Sequence, residues 1–190
     1  MGKNGLIGFI DESGNEVIQC QFAIPNDIYS PVYKFTDGLA AVYIDGGYAL
    51  IDKKGNIVSE DIVDSFVVGR KLSNDGMIKF MKDDRYGFIN AKDGKTAIQA
   101  LYDYAEDFSN GLSCVELEGK WGCINKEGNY VIEPVYDYIG GLSEGVAYVM
   151  IDEKYGFVDK SGKIIIEPIY DDVAYGFSDG LACVKKIKCI

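Results

Sequence analysis

The sequence predicts an all-β fold built from five tandem repeats. Three observations support this: a short motif recurs five times, turn-forming and aromatic residues are abundant, and the apolar runs have the length of strands. The chain has 190 residues, of which 23 are glycine and 14 are tyrosine, a composition that favours short strands joined by turns. The small residue of the motif lies at positions 8, 49, 87, 122 and 156, with spacings of 34 to 41 residues. Such spacings are typical of repeat architectures, in which each unit buries its apolar face against its neighbours.

The first two strands of each repeat are predicted to form a β-hairpin. In the fourth repeat Leu112–Leu117 and Lys120–Asn125 are separated by Glu118-Gly119, and an acidic residue followed by glycine is typical of a two-residue turn. Trp121 follows Val115 by six positions, and the same offset occurs in three other copies. A constant offset fixes the strand register, since a slip of one residue would turn every side chain to the other face.

Under this register Cys114 lies opposite Cys123 at a non-hydrogen-bonded pair, where the Cα atoms are ~4.5 Å apart. We therefore predict that the two sulfurs are adjacent, reduced in the cytoplasm and linked by mild oxidation. The five cysteines lack metal-ligand spacing, and scattered free thiols fit a reducing compartment.

A third strand follows a glycine-containing turn and is predicted to end at Glu133-Pro134 or its equivalents, because proline cannot donate a ladder hydrogen bond. An irregular connection of about ten residues then leads to the next repeat; in the first copy it is extended by residues 26–31. We expect a single repeat domain over residues 1–190, with repeats at approximately 3–43, 44–80, 81–115, 116–149 and 150–185.

The predicted array of three-stranded antiparallel meanders is elongated, twisted and solenoid-like. A closed five-unit β-propeller is the alternative, although propeller blades normally have four strands. Within each meander, the glycines of the motif are predicted to mark places where another backbone or a large side chain packs closely over the strand; they are Gly87, Gly122 and Gly156. One apolar repeat position is predicted to lie in the core, and it holds Phe22, Val63, Tyr102, Tyr136 and Tyr170.

The motif and its surroundings resemble the WG-repeat (KWG-repeat) family of bacterial β-rich repeats. The similarity is carried by Trp121-Gly122, by residues 155–163 (YGFVDKSGK) and by residues 177–182 (FSDGLA). The first two copies depart from the pattern, with Ile7 in the aromatic position and Ala49 in the small position. The resemblance implies a repeat scaffold, in most members without an assigned activity, and it supplies no catalytic residues.

Composition argues against several functions. The sequence contains no histidine, which removes the commonest general base and histidine-paired nucleophiles, so we expect no enzymatic activity, no cofactor and no metal. The formal net charge of −11 disfavours nucleic acid and anionic membranes as partners. Because no signal peptide is visible, a cytoplasmic location is expected, although the chain could be a segment of a longer or exported protein.

We expect a binding scaffold that presents loops and grooves to a protein partner. The alternative is a glycan- or cell-wall-binding protein, with carboxylate-based glycan processing as a further possibility. Aromatic side chains suit both functions, and the candidate binding residues are Tyr104, Tyr138, Tyr175 and Trp121. Asp103, Asp137 and Asp171 share one repeat position, which favours a turn or capping role over catalysis.

Overall fold

The computed structural model describes residues 5–24, 33–67 and 74–187, and every regular element in these ranges is a β-strand. The all-β class and the repeat organisation predicted from the sequence are therefore confirmed. The strands form antiparallel sheets, and none of those in the described ranges closes into a barrel. The chain divides into two compact units, Met1–Ala100 and Leu101–Ile190. The extended connection at residues 26–31 and Cys189 lie outside the described residues.

The described part of the first unit contains two four-stranded sheets. Within each sheet the strands are adjacent in chain order. The first sheet consists of β1 (Leu6–Ile10), β2 (Glu16–Ala23), β3 (Leu39–Ile44) and β4 (Gly47–Asp52). The second consists of β5 (Ser65–Phe66), β6 (Met77–Lys82), β7 (Arg85–Asn90) and β8 (Thr96–Tyr102). The core of this unit includes the buried side chains of Leu50, Ile51, Ile78 and Ile89.

The second unit repeats the four-stranded arrangement. Its strands are β9 (Tyr104–Ala105), β10 (Leu112–Leu117), β11 (Lys120–Asn125) and β12 (Tyr130–Tyr136), then β13 (Tyr138–Ile139), β14 (Val146–Ile151), β15 (Lys154–Asp159) and β16 (Ile164–Tyr170), and finally the pair β17 (Asp172–Val173) and β18 (Val184–Lys185). The core includes Ile124, Ile132, Ile139 and Phe157, all at most 2% exposed.

Each four-stranded sheet from β5 onward has a short first strand that the sequence did not predict. These two-residue strands lie within the connection, which was expected to be irregular throughout. Their second residues are buried and anchor the connection on the next hairpin; they are Phe66, Ala105, Ile139 and, in the two-stranded sheet, Val173.

The predicted two-residue turns are confirmed. In the hairpin of β10 and β11, Glu118 and Gly119 both have positive φ, 53° and 76°, as a type I′ turn requires. A second turn with two positive φ values precedes each hairpin, for example at Asn110 (51°) and Gly111 (83°). It brings Ser109 and Leu112 into a bridge, so the chain enters the hairpin through a tight reversal.

The third strand of the repeat is longer than predicted. It does not end at Glu133-Pro134; instead β12 continues to Tyr136. Trp121 of β11 pairs with Tyr136 of β12, and Cys123 pairs with Ile132. The single residue between the two pairs on β11, Gly122, is therefore opposed by three residues of β12, 133–135. The proline lies within this bulge, where its missing N–H interrupts no regular ladder. β15 and β16 show the same irregularity.

The small residue of the motif lies opposite this bulge. A Cβ atom at Gly122 would be 2.5 Å from the carbonyl oxygen of Ile132 and 2.8 Å from the nitrogen of Pro134. Gly156 has equivalent surroundings in the next repeat, and a Cβ at Gly87 would lie 2.8 Å from backbone atoms of β8. The prediction that these glycines mark close packing by another backbone is therefore confirmed.

The second copy, which carries Ala49 in the small position, packs differently. Residues 57–63 face its motif strand through two isolated bridges and not through a continuous strand. The N–H of Leu50 donates to Ser59 Oγ at 3.1 Å and so finds a side-chain acceptor. This interruption accommodates the extra methyl group of Ala49, which is buried.

The repeated apolar position lies in the core, as predicted. Phe22, Val63, Tyr102 and Tyr136 are at most 6% exposed, and Tyr170 is half-buried. The hydroxyl group of Tyr136 donates to the carbonyl oxygen of Gly162 at 3.1 Å, which links neighbouring repeats of the second unit.

The aspartate that follows this position joins consecutive hairpins. One carboxylate oxygen of Asp137 accepts the N–H of Asp152 at 2.9 Å, at the turn of the following hairpin, and the other accepts Lys120 Nζ at 2.5 Å. Equivalent carboxylates of Asp64, Asp103 and Asp171 accept the N–H groups of Asp83, Glu118 and Ile187. The predicted capping role of these aspartates is confirmed.

Candidate functional site

Five aromatic side chains of the second unit form a continuous, partly exposed row. The ring centroids lie 5.5 Å apart for Tyr104 and Trp121, 5.2 Å for Trp121 and Tyr138, 5.9 Å for Tyr138 and Tyr148, and 6.3 Å for Tyr148 and Tyr155. These separations are typical of attractive aromatic pairs. We call these five residues the aromatic row.

Strand register places these rings on one face of each sheet. Tyr104 on β9, Glu116 on β10 and Trp121 on β11 are directly opposite one another, and directly paired residues project from the same face. The same three positions of the next sheet hold Tyr138, Met150 and Tyr155.

The fold does not require tyrosine at the first residue of the short strand. This position holds Ser65, Tyr104, Tyr138 and Asp172 in β5, β9, β13 and β17. A small residue and a charged residue thus form the same strand pairing as the two tyrosines. The two tyrosines are therefore a feature of this surface and not of the repeat.

Tyr148 continues the row because Gly140 makes room for it. A Cβ atom on Gly140 would overlap the Tyr148 ring. Burial, followed by a hydrogen bond to the Tyr148 side chain, raises the pKa of Tyr138 to about 12. The Tyr138 phenol is therefore neutral at physiological pH.

Two carboxylates lie beside the row. Glu116 is paired with both Tyr104 and Trp121 in the ladder, and the charge of Glu106 contributes to the raised pKa of Tyr138. Both are half-buried. The two positions are not acidic in the other short-strand sheets. The residues equivalent to Glu116 are Met81, Met150 and Lys185. The residues equivalent to Glu106 are Val67, Gly140 and Ala174. The other sheets therefore form without a carboxylate at either position.

A shallow pocket of about 240 Å³ adjoins the row. Its lining combines two carboxylates, a hydroxyl group and apolar side chains, contributed by Glu106, Asp107, Ser109, Leu112, Cys114, Gly141 and Leu142. The Glu106 carboxylate thus belongs both to this pocket and to the surroundings of Tyr138.

The two cysteines predicted to face each other are joined in a disulfide. Cys114 and Cys123 pair across β10 and β11 with a Cα–Cα distance of 4.0 Å. The carbonyl oxygen of Cys114 accepts the N–H of Glu106 on the opposite side, at 2.9 Å, which places the pair at a non-hydrogen-bonded position. The predicted register and the adjacency of the sulfurs are confirmed. Cys20 and Cys183 are free and exposed.

The structure brings together three of the four predicted binding residues. Trp121, Tyr104 and Tyr138 are consecutive members of the row, whereas Tyr175 is 80% exposed and takes no part in the ring contacts of the row. The sequence interpretation missed Tyr148 and Tyr155. Tyr155 could have been identified from the sequence, since it occupies the same motif position as Trp121.

This face combines aromatic rings with carboxylates. The rings offer surfaces for stacking, the Tyr138 phenol is neutral, and the carboxylates attract positive charge. Within the described residues no group of three or more His, Cys, Asp or Glu side chains could hold a metal ion. The same residues form no helix that is long and apolar enough to cross a membrane.

These features define a β-repeat protein that has a row of neighbouring aromatic side chains on its surface. The chain belongs to the family of WG-containing repeats, whose model matches residues 7–23, 86–121, 121–155 and 155–186, more than half of the chain. The resemblance seen in the sequence is thus confirmed. The matched residues leave out the copy with Ala49, where the partner strand is interrupted.

No curated protein matches the chain significantly. Among solved structures, one described as "Crystal structure of the eukaryotic initiation factor" is similar with a TM-score of 0.44 and 14% sequence identity. The similarity covers 67% of this chain and 40% of the other, so this chain spans less than half of that protein's length.

Proposed function

We propose that this chain is a non-enzymatic binding scaffold that docks a protein partner on the aromatic row. The observation that carries the proposal is the row itself, five neighbouring rings on one face of the second unit. Tryptophan and tyrosine are enriched among the residues that dominate binding energy at protein interfaces. The positions of Tyr104 and Tyr138 are filled by Ser65 and Asp172 in other sheets, so their aromatic character supports a role beyond packing.

The shape of the row favours a protein partner over a glycan. Neighbouring rings are inclined to each other by 37° to 56°, so they do not form one flat platform for a chain of sugars. An uneven aromatic surface of this kind suits side chains of different shapes. Glycan binding remains the second candidate, because Glu116 beside Tyr104 and Trp121 combines a hydrogen-bond acceptor with stacking surfaces.

Structural roles of the repeated aspartates support the absence of catalysis. Both carboxylate oxygens of Asp137 are engaged, one by Lys120 and one by the backbone of Asp152. These contacts hold the pKa of Asp137 below its ordinary value, which is opposite to the shift that a general acid at neutral pH needs. Asp171 has the same surroundings and its pKa is lowered in the same way by Lys154.

Affinity purification with matched variants tests this proposal. The wild-type chain, Tyr104→Ala and Tyr175→Ala are immobilised and exposed to native extract, and bound proteins are compared by quantitative mass spectrometry. Both substitutions remove an exposed tyrosine, but only the first changes the row. We expect a protein that wild type and Tyr175→Ala retain and that Tyr104→Ala loses. Equal recovery on all three folded proteins would contradict the proposal.

A further inference from the structure

The geometry points to a partner segment that carries arginine side chains. This inference rests on the proposed function and specifies the chemistry of the docked segment. It is carried by the juxtaposition of the Glu116 carboxylate with the rings of Tyr104 and Trp121. A guanidinium group can stack on an aromatic face and at the same time pair with a carboxylate.

Glu116 lies beside the first two rings of the row. It lies between Tyr104 and Trp121 in the strand ladder, on the same face as both rings. The equivalent residues of β6 and β14 are Met81 and Met150, side chains that extend the apolar surface. The hairpin therefore does not need a carboxylate here, and its presence introduces negative charge directly beside two aromatic rings.

Glu106 supplies a second negative charge next to Tyr138. It follows Tyr104 by two residues, and its Oε2 atom lies 3.4 Å from where a Cβ on Gly141 would be. It also lines the pocket that adjoins the row, together with Asp107.

The cations nearest to the row in sequence are committed to other carboxylates. Lys120, which precedes Trp121, is 2.5 Å from Asp137, and Lys154, which precedes Tyr155, is 2.5 Å from Asp171. These ion pairs neutralise the positive charges of Lys120 and Lys154. With a chain net charge of −11, the field around the row attracts a cationic segment and repels an acidic one.

Arginine suits this surface better than lysine. The guanidinium group is planar, delocalised and more weakly hydrated than an ammonium group, so it can stack on the exposed part of a ring with a smaller desolvation cost. Trp121, with a neighbouring ring on each side at 5.5 Å and 5.2 Å, offers the strongest face for a cation.

Fluorescence of Trp121, the single tryptophan of the chain, provides the test. The full chain is titrated with a capped eight-residue peptide of alternating glycine and arginine, and with matched peptides that carry glutamine or glutamate in place of arginine. We expect saturable binding of the arginine peptide, at least tenfold tighter than the glutamine peptide, and weakening as the salt concentration rises. The glutamate peptide should not bind.

Two variants with the same change in net charge locate the interaction. Glu116→Gln should weaken binding of the arginine peptide by about three- to tenfold, as expected for loss of a partly buried charge pair. Glu127→Gln, an exposed carboxylate in a turn outside the row, should leave the affinity within about twofold of wild type, because a single distant exposed charge is largely screened.

Equal affinities for the arginine and glutamine peptides would overturn the inference, as would equal effects of the two glutamate variants. Saturable binding of a neutral oligosaccharide without binding of the arginine peptide would also overturn it. If the arginine peptide does not bind while the extract still yields a protein that depends on Tyr104, the inference is wrong and the proposed function stands. If no such protein is recovered, the proposed function itself fails.

Discussion

Gly122 and Tyr104 illustrate two kinds of residue in this repeat. At Gly122 the bulged backbone of the neighbouring strand leaves no room for a Cβ atom, so the fold dictates the residue. At the Tyr104 position the other sheets accept Ser65 and Asp172, so the fold leaves the residue open. Residues of the second kind are where function can be encoded, and the aromatic row includes two of them.

Replacing Gly122 by alanine should destabilise the protein by about 1–3 kcal/mol, because the added methyl group forces the backbone of β12 away. Gly176→Ala is the matched control, since a Cβ there would meet its nearest atom at an ordinary 3.5 Å. Chemical denaturation monitored by circular dichroism gives the free energy of unfolding of each variant. Similar stabilities for the two variants would show that the close approach at Gly122 is not real.

At the scale of elements, Asp137 and Asp171 each connect one hairpin to the strand or hairpin that follows it. The Asp137 carboxylate contacts Lys120 of one hairpin and the turn of the following hairpin at Asp152. Because one side chain contacts both elements, its charge contributes to their mutual positioning. The pKa of Asp137 is lowered first by the hydrogen bond from Lys120 and then by that from the Asp152 backbone.

This lowered pKa predicts an acid-sensitive contribution to stability. A carboxyl group whose folded pKa lies below its unfolded value of 3.8 stabilises the fold above that value, and the stabilisation disappears as pH falls from about 4 through the folded pKa. We expect Asp137→Asn to lower the melting temperature at pH 7 and to lower it less below about pH 3. Glu127→Gln serves as the control. A difference between Asp137→Asn and wild type that is constant across this pH range would contradict the assignment.

The disulfide between Cys114 and Cys123 closes a short loop, with a sequence separation of 9. A disulfide stabilises the fold mainly by lowering the chain entropy of the unfolded state, and this effect is small for a short loop. Its contribution to the free energy of unfolding should therefore be less than about 3 kcal/mol. Denaturant unfolding with and without reductant should show a change below this limit, and Cys114→Ser should be insensitive to reductant. Mass mapping after oxidation that pairs Cys114 with Cys20 or Cys183 would refute the hairpin register. In the cytoplasm, which we propose as the location, the pair should be reduced.

The hairpins could be predicted from the sequence because their determinants are local. An acidic residue followed by glycine specifies the turn, and the constant offset from Val115 to Trp121 specifies the register. The course of the third strand could not be predicted in this way. Proline normally ends a strand, but Pro134 lies in a bulge whose existence depends on Gly122 in the neighbouring strand, and this relation is tertiary.

The aromatic row was predicted only in part, because it too depends on tertiary contacts. Tyr104 and Tyr138 were identified because they lie in connections, where side chains are usually exposed. Tyr148 lies in a hairpin strand, at the position that Cys114 occupies in the preceding repeat. Its place in the row depends on the space over Gly140, a contact between strands that the order of residues does not reveal.

At the scale of the whole chain, the five residues of the aromatic row all belong to the second unit. The first unit has Ser65 at the corresponding short-strand position, and of its aromatic motif residues Tyr48 is 4% exposed and Tyr86 is half-buried. The two units therefore share a scaffold but present different surfaces. We expect partner binding to depend on substitutions between Tyr104 and Tyr155 and to tolerate exposed substitutions in the first unit.

Site-specific photocross-linking tests the central claim most directly. A photoreactive phenylalanine analogue replaces Tyr104 in one protein and Tyr175 in another, and both are irradiated in native extract. The row at position 104 should yield a covalent adduct with one protein, diminished by excess arginine peptide, whereas position 175 should yield little or none. Adducts of equal yield at the two positions, or an adduct at position 175 alone, would contradict the assignment of the aromatic row as the binding face.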